Sequence, residues 1–183
     1  MGILLAFLPF LAFALADRLL GSTAGLIAGA LTSAALLLRN WIAQGRSLKI
    51  LELGTLCLFL GLIGFTLEMK PAWSIVHVRL CVDCGLLAIV LISIAARRPF
   101  SIQYAREQVP TEHWNTAGFI HANYVITTVW AAAFLVMVLA DLTMLYVPAL
   151  PLGAGIFATV IALALAITFT GWYPKRLAGR ALE

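Results

Sequence analysis

The chain is a series of long apolar runs separated by short polar stretches. The runs fall at about 22–38, 48–67, 75–96, 124–146 and 150–172. A helix rises about 1.5 Å per residue, so about 20 apolar residues cross a hydrocarbon core about 30 Å thick. Each run therefore predicts a membrane-spanning helix. A sixth run, 3–16, is shorter and contains Pro9, which is expected to weaken or kink it. It reaches Leu20 only by taking in Asp17 and Arg18, so it predicts a short spanning or re-entrant helix, with Asp17 in the loop that follows. The expected fold is all-α: a polytopic membrane helix bundle of five full transmembrane helices plus this N-terminal one. Residues 1–183 form a single integral membrane domain.

Composition narrows the function classes. The chain is 63% hydrophobic and 11% charged, with a mean hydropathy of +1.03. Soluble domains are roughly half apolar and about a quarter charged. A nucleic-acid-binding domain, a disordered tail and a secreted disulfide scaffold are excluded, the last also because three cysteines cannot pair completely. Ala14-Leu15-Ala16 has the form of a signal-peptidase site, but the first basic residue is Arg18 and a basic n-region is missing. The first segment is therefore expected to be retained.

The net charge of +4 reports orientation. Arg39, Arg46 and Lys49 lie between the second and third segments. Arg97, Arg98 and Arg106 follow the fourth, and Lys175, Arg176 and Arg180 close the chain. These nine of the twelve basic residues fall on one side, which the positive-inside rule places in the cytoplasm together with the C-terminus. Arg18, Lys70 and Arg79 fall on the other side. The longest polar stretch, about 97–123, is divided by Pro99 and Pro110 and predicts two short interfacial helices, the second capped by Thr111.

Few residues offer chemistry. Gly21, Gly25, Gly29 and Ser33 make a small-residue stripe that allows close helix approach, within the chain or across a homodimer. His77, Cys81 and Cys84 share one helical face, while Arg79 and Asp83 are four apart on another. Cysteine and histidine suit a soft metal, and C-x-x-C suits thiol–disulfide exchange, but two buried cysteines also serve as small apolar residues. A redox relay normally needs a second pair, and only Cys57 remains. Glu68, His77, Arg79, Asp83 and Asp141 approach one side as a candidate polar cluster, with Asp17 near it. Ionisable groups in spans are costly, so they mark function by default. Glu52 is expected to pair locally with Lys49. Hydrolase and phosphate-binding motifs are missing, and His77 alone lies inside a span, so haem is not expected.

Several short motifs recur in collinear order along nearly the whole chain. They are Leu5-Ala-Phe7-Leu8-Pro9 with Phe13, the Trp41 region with its basic loop, and Gly64-Phe65-Thr66-Leu67. Arg98-Pro99-Phe100 with Gln103, then Trp114, and the 123–130 stretch ending in Trp130 complete the series. In these the chain resembles the intracellular septation protein A family, also called the inner membrane-spanning protein YciB family. The resemblance implies a multi-pass protein of the bacterial inner membrane, linked to cell division and envelope integrity. It implies action through protein contacts, without enzymatic activity or cofactor. The expected partners are membrane lipids and division or envelope-synthesis proteins, with no nucleic acid. The expected contact surface is Arg98, Gln103, Tyr104, Arg106 and Trp114 in the cytoplasmic loop. Two other classes stay open: a small transporter or channel using the outer polar cluster, and a thiol or metal enzyme using His77, Cys81 and Cys84.

Overall fold

A computed structural model of the chain describes residues 2–44, 49–69, 74–147, 149 and 151–180. The described elements are helical: α1 (Gly2–Leu5), α2 (Leu8–Leu20), α3 (Ser22–Gln44), α4 (Ile50–Met69) and α5 (Ile75–Ala95), then α6 (Phe100–Ala105), a 3-10 turn (Thr111–His113), α7 (Ala117–Tyr146) and α8 (Leu152–Arg180). Five of them, α3, α4, α5, α7 and α8, are long and apolar enough to cross a membrane. The chain is a polytopic membrane protein. The expected starts at Leu48 and Leu150 lie outside the described residues.

The chain divides into two compact units, residues 1–89 and 90–183, within α5. In the first unit, Pro9 ends one helix and begins the next. Its ring cannot accept the carbonyl of Leu5 in a continuing helix, so α1 stops at Leu5 and Pro9 enters the first turn of α2. At 13 residues, α2 is about 20 Å long, too short to span by itself. Gly21, at φ 93° and ψ 169°, reverses the chain into α3. That backbone conformation is essentially open only to glycine. Asp17 therefore lies inside α2 rather than in the loop expected from the sequence, because the helix continues through it and Arg18 to Leu20.

The core of this unit joins Phe13 of α2, Leu26 and Ala30 of α3, Phe59 of α4 and Val78 and Val82 of α5. The α3 stripe is what lets them meet. A Cβ at Gly25 would come within 3.0 Å of the Asp17 backbone, and one at Gly29 within 2.5 Å of the Phe59 ring. Both glycines thus face neighbours within the chain, while Gly21 has open space around it.

In the second unit α7 packs along α8, and α6 packs on the start of α7. Trp130 and Phe134 are wholly buried, with ring centroids 5.7 Å apart. The Trp130 Nε1–H donates to Thr170 Oγ1 of α8 at 3.0 Å. The last helix does not stop near Trp172 but continues through Pro174 to Arg180. In its last third, Phe169 stacks on Tyr173 at 5.0 Å and Arg176 lies over the Trp172 ring at 4.9 Å.

Candidate functional site

The polar stretch after α5 is a folded platform. It begins with a helix stop in which the Arg98 N–H bonds the Ser93 carbonyl and the Arg97 N–H bonds the Ile94 carbonyl. Arg97 sits at φ 55°, in the left-handed region that a glycine usually fills at a helix end. Pro99 then prevents the helix from resuming. Ser93 ties the two helices together. Its hydroxyl donates to the Val90 carbonyl and accepts from the Phe100 N–H, the first donor of α6.

Helix α6 has only six residues, so it holds its shape through tertiary contacts. Phe100, Ser101 and Tyr104 are buried. The Ser101 hydroxyl lies 2.9 Å from the Asn123 carbonyl, 3.0 Å from Asn123 Oδ1 and 2.9 Å from Thr127 Oγ1. Asn123 in turn donates from Nδ2 to the Phe119 carbonyl. This network fixes α6 against the first turns of α7.

Beyond α6 the second expected helix is only the 3-10 turn, and Thr111 does not cap it. The cap belongs to Thr116, whose hydroxyl accepts from the Phe119 N–H and starts α7 seven residues before the expected start at 124. The Trp114 indole N–H donates to the Val109 carbonyl at 2.9 Å, and the Arg106 guanidinium lies 5.1 Å from the centre of its ring. Of the expected contact residues, Arg98 and Arg106 are exposed, and Gln103 and Trp114 are half-buried. Tyr104 is 1% exposed, which corrects its assignment to the surface. Its ring packs edge-on against Phe100, so it supports the platform from beneath.

The candidate polar cluster is distributed differently. Glu68, at the end of α4, and His77, in the first turn of α5, are exposed. His77 Nδ1 lies 2.7 Å from Ser74 Oγ. Arg79 is half-buried and Asp83 buried, both on α5, and Asp141 is wholly buried on α7. The buried ridge of α5 is Val78, Val82, Leu86 and Val90. The His77, Cys81 and Cys84 stripe runs beside it, with His77 and Cys84 exposed and Cys81 half-buried. Among the described residues no three His, Cys, Asp or Glu side chains come together as a metal-binding group.

The Glu52 pair extends beyond the local one read from sequence. Lys49 Nζ lies 3.6 Å from Glu52, and Asn40 Nδ2 of α3 donates to both carboxylate oxygens at 2.9 Å. A carboxylate near the membrane boundary is thus held by two elements. Sequence reasoning missed Asn40, Ser93, Ser101 and Thr170 because single uncharged polar residues carry no spacing signal. Comparison of the chain with protein families, curated proteins and solved structures finds no match in any of the three.

Proposed function

We propose that the chain is a non-enzymatic scaffold of the bacterial inner membrane, of the septation protein A type, whose cytoplasmic working surface is the platform after α5. One observation carries this reading. The Ser101–Asn123–Thr127 network and the buried Phe100 and Tyr104 fix the platform's backbone against α7, so its outer groups are presented at a lower ordering cost on binding. Those groups are Arg98, Arg106 and the Trp114 ring beneath Arg106. An arginine stacked on tryptophan keeps its planar fork free for a bidentate carboxylate or phosphate contact.

Complementation of a deletion strain, scored by division and envelope phenotypes, tests the proposal. Arg106→Lys keeps charge but loses the fork, and Trp114→Ala removes the ring without changing charge. Either change should abolish complementation at normal protein levels. If both complement, and only neutralisation of Arg97, Arg98 and Arg106 together fails, the platform is an electrostatic anchor to anionic lipid. If all variants complement, the proposal fails.

A second reading, a small transporter or channel, draws on the burial of Asp83 and Asp141 in spanning helices. Its test is ion flux in proteoliposomes, which Asp83→Asn or Asp141→Asn should abolish.

A further inference from the structure

The last turns of α8 carry a second arginine laid on a tryptophan. Residues 152–174 have no charged side chain, and at about 1.5 Å per residue they cover the roughly 30 Å of a hydrocarbon core. Lys175 and Arg176 are therefore the first charges met where the helix leaves the apolar layer, and both are exposed. The helix continues past them to Arg180, so regular backbone carries this boundary.

The packing of α8 on α7 fixes which face this is. Trp130 of α7 bonds α8 at Thr170, and Ala162 and Ala166 are buried on the same side of α8. A helix turns about 100° per residue, so Trp172 and Arg176 lie about 200° and 240° round from Thr170, away from α7. Trp172 is accordingly 47% exposed. Helical side chains lean toward the N-terminus of their helix, which brings the Arg176 guanidinium back over the Trp172 ring, 4.9 Å from its centre. Phe169 lies 6.0 Å from Trp172 and stacks on Tyr173, so the tryptophan has an aromatic neighbour on its apolar side. The ring attracts the positive charge while the planar fork of N–H donors is left to meet an oxyanion.

We propose that this face of α8 binds an anionic phospholipid of the leaflet at the C-terminal end of the helix. Arg176 takes the phosphate oxygens, and Lys175 adds a second positive charge at the same level. Trp172 and Phe169 lie on the apolar side of the charge, where the lipid's glycerol and upper acyl chains pass. A free phosphate ion would match the fork but not these rings, so the ligand is the lipid. The site uses no residue of the platform after α5 and stands whatever that surface contacts.

The test is native mass spectrometry of the full chain in detergent, titrated with phosphatidylglycerol or with phosphatidylcholine. Phosphatidylglycerol should bind more tightly. Arg176→Gln should weaken it about fivefold, the effect of one basic side chain at an anionic surface. Trp172→Ala should weaken it about two- to fivefold by removing the ring beneath the charge. Arg176→Lys keeps the charge but loses the fork, and should resemble Arg176→Gln more than the wild type. Arg39→Gln removes an exposed charge from α3 and should have a smaller effect. Equal binding of the two lipids, wild-type binding by Arg176→Lys, or an equal loss in Arg39→Gln overturns the proposal, since the attraction is then diffuse. Displacement of the lipid by millimolar inorganic phosphate would make the ligand the free ion and also overturn it. Wild-type protein in vesicles containing a photoreactive phosphatidylglycerol gives an answer that does not depend on any variant's folding. Cross-links within 169–176 support the proposal, and cross-links confined to other segments overturn it.

Discussion

At Gly25 and Gly29 the α3 backbone is held close to its neighbours by what is missing, a side chain. At Ser101 and Trp130 the α7 helix is held by what is present, a hydroxyl or indole N–H that finds a partner on the adjacent helix. The two units thus use the two means by which membrane helices associate where no hydrophobic difference separates protein from lipid: small residues for close approach and polar groups as glue. Buried serine and threonine hydroxyls fare differently in each. Thr55 and Ser33 in the first unit are buried with hydroxyls that have no partner among the described residues. Ser101, Thr127 and Thr170 in the second are all engaged. The same residue type is therefore a cost in one unit and a support in the other.

Four substitutions probe the contrast, each read as a thermal or denaturant midpoint of the purified protein in detergent. Trp130→Ala should be the most damaging. It empties a site with no exposed surface beside Phe134 and removes the bond to Thr170, at about 3–5 kcal/mol. Gly25→Ala comes next, at about 1–3 kcal/mol, because its methyl meets the Asp17 backbone, which cannot rotate away. A midpoint unchanged by Gly25→Ala would show that α2 and α3 are not held by close approach.

The hydroxyl comparison should split by sign. Ser101→Ala strands the Asn123 acceptors and leaves the Thr127 hydroxyl without its Ser101 partner, and should cost about 1–2 kcal/mol. Thr55→Val replaces an unpartnered hydroxyl by a methyl of similar shape and should stabilise by up to about 1 kcal/mol. Shifts of the same sign from these two would erase the distinction between the units.

How much of this was legible beforehand differs by feature. The five spans were readable because a hydrocarbon core imposes a length and a polarity that any sequence must display. The position of Pro9 told where the first helix breaks, since a missing N–H and a ring clash act locally. The stripe at Gly21, Gly25 and Gly29 announced close approach, but not that Asp17 and Phe59 would fill two of its places. Asp17 and Arg18 read as a loop because charge normally ends an apolar run. Tertiary packing overrode that reading by carrying α2 to Gly21 and closing Gly25 over the acid.

The sequence by itself determined the helical class, the spans and the asymmetry of basic charge, because these follow from backbone hydrogen bonding and solvation one segment at a time. The tertiary structure alone decided which polar residues meet. Ser101 reaches Asn123 and Thr127 across more than twenty residues, Trp130 reaches Thr170 across forty, and Asn40 reaches Glu52 across a helix hairpin. Such pairings depend on which helix faces which and at what height. A single polar residue does not encode either.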